Sequence, residues 1–322
     1  MTRQSPTKAG SGASSGAAAP SSTSVISSPA RALVPVVFVL LWSTGFIGAR
    51  YGLPHAEPAT FLAIRMVAAV ALMVPFALAT RAPWPHGPRA WLNAAIAGVL
   101  MHAIYLGGVF ISIHQGVPAA MAAVIVGLQP LLTALLAIPM LGERPRPRQW
   151  AGLLLGLGGV LLVLADKIAP AGSGLLFQGF PAWAPLFSVG SLVAITVGTL
   201  FQKRHCSGQD LRTGTIIQYV ASFLVLLPVA LLFETRVVDW APEFIGALVW
   251  LTVVLSLGAV SLLYVLLRRG AASETASLFY LVPLSAAVIA WILFDEAPGA
   301  LGLCGMALTA AGVWLVVGAR RR

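Results

Sequence analysis

The residue most able to do chemistry is Arg65, an arginine inside an otherwise apolar run at 58–79. A cationic side chain within a membrane span costs at least about 2.5–3.5 kcal/mol at mid-depth, so it lines a cavity or finds a partner. Two readings follow: an anchor for a carboxylate or other anion, or a structural arginine that snorkels outward or pairs with Glu57. His102, near the middle of another apolar run, could titrate near neutral pH, which is what a proton relay needs, or it could simply bond a neighbouring helix. Trp42, Tyr105, Tyr264 and Tyr280 supply aromatic faces, and Gln129, Thr199, Gln202 and Gln218 supply amides and a hydroxyl. Such a set suits an amphipathic organic solute; the plainer alternative is interhelical hydrogen bonding. Pro130 and Pro283 lie mid-run, where a missing N–H and a ring clash kink a helix and provide a bending point.

Several chemistries are excluded. There is no His-Glu-x-x-His, no phosphate-binding Gly-Lys-Ser/Thr and no pair of buried aspartates. Gly12-Ala13-Ser14-Ser15-Gly16 fits the nucleophile-elbow pattern but lacks a flanking strand and helix. Cys206 and Cys304 suggest neither a disulfide nor a metal site, and no cofactor is implied. Every carboxylate falls outside the apolar runs or at their edges.

These residues must be positioned by membrane helices. The 322 residues are 58% hydrophobic and 9% charged, with a mean hydropathy of +0.90, against about 45–50% and about 25% in soluble domains. Residues 1–32 are rich in Ser and Ala and without acid, which predicts a disordered cytoplasmic tail. Beyond it, ten apolar blocks are expected at about 33–50, 58–79, 90–112, 117–140, 149–165, 181–202, 213–233, 244–267, 272–294 and 299–317, each long enough for a core of about 30 Å. With the amino terminus inside, 16 of the 20 Lys and Arg fall in inner segments, as the positive-inside rule requires. That pattern also explains the net charge of +10 without nucleic-acid binding.

Shifting the chain by 153 residues superposes its halves: 15 of 45 positions match between 119–163 and 272–316. Pro130/Pro283, Glu143/Glu296, Pro145/Pro298, Gly152/Gly305 and Gly159/Gly312 coincide, as do Gly45/Gly198 and Thr60/Thr213. Arg65 pairs with Gln218. Five spans per copy is an odd number, so the second copy enters the membrane inverted. That is the architecture of alternating-access transporters, with the site near the midplane between the halves.

The 5 + 5 arrangement, Trp42-Ser43-Thr44-Gly45-Phe46 in the first span, Arg65 in the second, the paired prolines and the Gly142-Glu143-Arg144 turn resemble the drug/metabolite transporter superfamily, specifically its EamA-type permeases. The resemblance implies an all-α ten-helix bundle with repeats at 33–165 and 181–318, not an enzyme, that moves a small metabolite or amphipathic solute, often outward. It places helices one to four and six to nine around a central cavity, with helices five and ten at the periphery. The resulting expectation is a multi-pass exporter of the bacterial inner membrane with both termini cytoplasmic, its partners a small solute and membrane lipids. A non-transporting protein of the same fold, such as a lipid scramblase, receptor or assembly factor, is the alternative. Glu143 and Glu296 are expected to be structural at span ends. The glycines of helices five and ten are expected to pack within the chain, or else to form a homodimer.

Overall fold

The computed structural model describes residues 28–117, 122, 125–168, 180–282, 284, 285, 288, 289 and 299–318, with side chains from Leu33 onward. The helices are α1 (Ser28–Gly52), α2 (Pro58–Ala79), α3 (Pro88–His114), α4 (Gln129–Leu141), α5 (Pro147–Ile168), α6 (Ala184–His205), α7 (Leu211–Phe233), α8 (Pro242–Arg269), α9 (Ala272–Ser277) and α10 (Ala300–Gly318). Among the described residues the only extended pairing is one antiparallel bridge, Ala56 with Val238. Six helices are long and apolar enough to cross a membrane: α2, α3, α6, α7, α8 and α10 through Val317. Leu33–Gly45 and Gln129–Leu141 are shorter apolar helices. Large apolar side chains such as Phe76, Leu154, Leu224, Phe233 and Trp314 face outward, as suits a chain solvated by lipid rather than water.

One expectation changes. Residues 28–32 belong to α1 rather than to a tail, because the apolar run that follows carries the helix back over Ser28; residues 1–27 lie outside the described residues. Pro130 lies beside an interruption of helical backbone: residues 125–127 are helical, Leu128 is a turn, and Pro130 sits in the first turn of α4, where a residue without an N–H is accommodated. Pro283 and Glu296 lie outside the described residues. Trp42 packs on Phe38 and Phe279, with ring centroids 5.3 and 5.2 Å away.

Packing follows the repeat. Exchanging α1–α5 with α6–α10 maps the contacts onto themselves: α3 packs on α6 as α8 packs on α1, and α3 packs on α7 as α8 packs on α2. The α2–α7 and α5–α10 pairs map onto themselves. Both run antiparallel. The α2 amino end meets the α7 carboxyl end, where the Glu234 carboxylate accepts the Ala59 and Thr60 amides at 2.7 Å each. This satisfies two of the orphan donors at a helix start. At the opposite end Thr213 Oγ1 donates to Pro83 O at 2.7 Å.

Glycine sets the closest approaches. A Cβ on Gly159 of α5 would lie 2.3 Å from Thr309 Oγ1 and 2.6 Å from Gly305 O of α10. The small faces of α5 and α10 are therefore consumed inside the chain, which is how apolar helices associate without a hydrophobic drive. Gly159→Leu is expected to lower the melting temperature in detergent or abolish folded protein, since overpacking costs about 1–3 kcal/mol or more. Gly246→Ala, whose Cβ would meet nothing within 4 Å, should leave melting unchanged.

Candidate functional site

The third helix of each repeat is locally unwound. In α3 residues Val99–Ile104 form a π-helix, and in α8 residues Leu251–Ala259 do the same. The two stretches coincide in the repeat register. A π stretch widens the turn, leaves carbonyls poorly matched within the helix, and occurs often at functional sites. His102 sits in the first stretch and Ser256 in the second.

Ser256 is where Arg65 is held. Arg65 Nε donates to Ser256 Oγ at 3.0 Å, and Tyr219 Oη donates to Ser256 O at 2.6 Å. The Ser256 hydroxyl also reaches Leu251 O at 3.2 Å, five residues back, as π geometry dictates. One serine of the second repeat thus accepts from α2 through its hydroxyl and from α7 through its carbonyl. Arg65 is 3% exposed. Among the described residues no carboxylate pairs with it, and Glu57 binds elsewhere.

His102 begins a directed chain. Its Nε2 lies 3.1 Å from Tyr264 Oη, whose hydroxyl donates to Gln218 Oε1, and Gln218 Nε2 donates to Gln202 Oε1 at 3.0 Å. The single tyrosine proton is committed to Gln218, so the imidazole must be the donor through Nε2–H. The chain crosses α3, α8, α7 and α6 and ends on two amides, which hold fixed protons. It orients the ring, and its far end is an amide rather than an acid or a base.

Arg65 and His102 line one cavity together with Trp42, Tyr105 and a wall of apolar side chains including Val109, Leu251 and Leu255. The cavity is ≈ 50 Å³, room for a few waters at about 10–15 Å³ each. Its walls come from α1, α2 and α3 of one repeat and α6 and α8 of the other. Gln218 and Tyr264 stand behind it through the His102 chain. Gln129 and Tyr280 are buried elsewhere: among the described residues the Gln129 amide has no partner, and the Tyr280 ring lies on Gly156 of α5. Ser256, Tyr219 and the π stretches carried no sequence signal; a serine in an apolar run and a tyrosine beside Gln218 were the only marks.

Both ends of the bundle are tied. At one end, the His55 Nδ1 to Asp239 Oδ2 contact is 2.8 Å and Asp239 N donates to His55 O at 2.9 Å. Glu57 Oε2 accepts the Thr235 amide and hydroxyl, each at 2.6 Å. The Thr235 hydroxyl, and then the Thr235 and Arg236 amides and the nearby His114, hold the Glu57 carboxyl below its ordinary range against the opposing effect of burial. At the other end Glu143 pairs with Lys203 and accepts the Ala272 amide at 2.9 Å, while Lys203 Nζ reaches Gly270 O at 2.7 Å. Glu143 thus joins the end of α4 to α6 and to the start of α9, the structural role expected of it.

The chain belongs to the EamA-like transporter family: the family model matches residues 32–165 and 182–318, one copy on each repeat. It is accordingly a multi-pass membrane transporter rather than an enzyme. A WAT1-related chloroplastic protein of Arabidopsis thaliana is 26% identical over 85% of this chain, which spans 66% of that relative. The inner membrane transporter YedA of Escherichia coli is 27% identical, over 78% of each chain. An Escherichia coli protein named as a probable amino-acid metabolite efflux pump is 24% identical, over 88% of this chain and 94% of its own. A solved crystal structure superposes with a TM-score of 0.72, covering 92% of this chain and 99% of that one at 23% identity, which shows a shared fold.

Two outcomes are expected. His102→Gln, which can still donate to Tyr264, should retain any dependence of flux on a pH gradient, whereas His102→Leu should lower flux by uncoupling Tyr264 from the cavity wall. Equal loss in both variants would make the imidazole itself essential. A lowered Glu57 pKa means its contribution is present above the unfolded value of 4.5 and disappears as pH falls through the lower, folded value. Hydrogen exchange at the Thr235 amide, corrected for intrinsic rates, should rise on that acidification in wild type. It should already be raised at pH 7 in Glu57→Gln.

Proposed function

We propose that this protein is a secondary transporter that exports a small metabolite from the cytoplasm by alternating access, its ten helices spanning a bacterial inner membrane as two inverted five-helix repeats with both termini cytoplasmic. The observation that carries the reading is the cavity itself. It is walled by both repeats, holds Arg65 and His102 at its surface, and lies between two tied ends. Its ≈ 50 Å³ is too small for a metabolite, so solute enters only if the repeats part at one end. The antiparallel α2–α7 pair supports this, because loosening one tied end while keeping the other is then the same motion seen from opposite faces.

Solute binding falls to Trp42, Arg65, His102 and Tyr105, with Gln218 and Tyr264 fixing His102, and with Gln129 and Tyr280 supplying polar groups on the α4 and α9 side. Bending at the Leu128–Pro130 break, and at Pro283 in the second copy, supplies the hinge. The name of the efflux-pump relative favours the outward direction. Any homodimer would use the outward faces of α5 and α10, where Leu154, Leu161 and Leu303 are exposed, since their glycine faces already meet.

Purified protein in proteoliposomes should carry radiolabelled solute in counterflow. Single cysteines near Tyr105 and Tyr264 should change reactivity towards membrane-impermeant thiol reagents from each side when solute is added. Exposure that never changes would remove alternating access, and lipid movement without solute flux would make the protein a scramblase of the same fold.

A further inference from the structure

Arg65 is bound through one nitrogen only. Nε is taken by Ser256 at 3.0 Å, and among the described residues no acceptor is placed on Nη1 or Nη2. Those two nitrogens form the end-on fork of the guanidinium, whose spacing matches the two oxygens of a carboxylate. The Ser256 bond fixes the plane of the fork from the second repeat.

Charge then selects among anions. Among the described residues Arg65 is the sole permanently charged one lining the cavity, and none of them is acidic. From sequence alone, no carboxylate anywhere in the chain lies at mid-span. A monoanion neutralises the site. A dianion such as phosphate monoester or a dicarboxylate leaves one negative charge uncompensated in an apolar interior, and a zwitterion brings an ammonium that finds only neutral acceptors, each an expensive burial. The rest of the wall is apolar, from Val109 and Phe110 to Ile195, Leu251 and Leu255, with the Trp42 indole at one side.

We propose that the solute of this cavity is a monoanionic carboxylate with an apolar body, held end-on by Arg65 Nη1 and Nη2, and that a zwitterionic amino acid with the same body binds less well. This rests on the transport reading for its meaning but not for its test. It also departs from the chemistry in the name of the efflux-pump relative.

The test uses four ligands sharing one branched body: isocaproate, leucine, isoamylamine and isocaproamide. Each is titrated against the purified full-length chain, read by thermal unfolding and by calorimetry, because a ligand that prefers the folded state raises its stability by mass action. Isocaproate is expected to stabilise the wild type, leucine to do so more weakly, and the amine and amide not at all. Arg65→Gln should weaken isocaproate binding about thirtyfold or more, the usual consequence of losing one partner of a buried charge pair. Arg65→Lys should keep the order of preference with a smaller loss. Leucine equal to or better than isocaproate, binding of the amine or amide, or no binding of isocaproate would each overturn the proposal. The wild-type series decides this even if Arg65→Gln fails to fold. Isocaproate binding without counterflow in proteoliposomes would overturn the transport reading and leave the anion site standing.

Discussion

The arrangement of this molecule turns on a single cation kept in an apolar interior. Among the described residues no carboxylate neutralises the charge of Arg65, and a dipole, the Ser256 hydroxyl, meets it instead. Ser256 lies in the π stretch of α8, its hydroxyl accepting from Arg65 of α2 and its carbonyl accepting from Tyr219 of α7. In α3 the equivalent π stretch carries His102, whose ring meets Tyr264. Two π segments in equivalent helices therefore carry different chemistry, a guanidinium anchor in one and a ring-orienting chain in the other. The cavity is asymmetric although the fold that encloses it is symmetric.

That asymmetry follows from the pairing of Arg65 with Gln218 in the repeat. In one copy the position supplies charge to the cavity; in the other it supplies an amide that ends the His102–Tyr264 chain. A duplicated scaffold with two arginines here would place two like charges near one another in low dielectric, a strongly unfavourable arrangement. Replacing one with glutamine keeps the position polar and lets the second copy serve as support for the first. The carboxylates are spent at the ends of the bundle, where Glu234 and Glu143 take orphan amides at the starts of α2 and α9. The helix dipole favours a negative charge at those places.

What could be read from the sequence was what spacing encodes. A shift of 153 residues exposes the duplication because matched glycines and prolines are rare events in an apolar composition, and the observed packing of α2 on α7 and α5 on α10 is its direct consequence. Arg65 stood out because burying a guanidinium is costly wherever it occurs. Ser256 and Tyr219 did not, since a serine or tyrosine in an apolar helix is cheap and common, and whether it meets an arginine depends on the rotation of a helix almost two hundred residues away. The π segments were invisible for the same reason: nothing in Val99–Ile104 or Leu251–Ala259 favours them locally, so tertiary packing decides them. At Pro130 the helical backbone is interrupted at Leu128, two residues before a proline that has no N–H to donate.

The tied ends give the cavity its meaning. Each end is fastened by hydrogen bonds and ion pairs among partly exposed groups, contacts that are individually weak in water and exchange readily with solvent. The middle is fastened by buried glycine contacts and by the Arg65–Ser256 and His102–Tyr264 bonds, made between groups that are almost wholly buried. Under the alternating-access reading proposed above, a bundle built this way would open at its ends before its centre separates. The α5–α10 pair, locked through Gly159 and Gly305, lies outside the cavity wall and can hold the two repeats together while either end parts. If solute replaces the missing counter-ion of Arg65, its arrival removes an uncompensated charge from the interface between the repeats. Occupancy would then lower the cost of the closed, desolvated arrangement relative to the open one, so that the same guanidinium both selects the solute and couples its presence to closure.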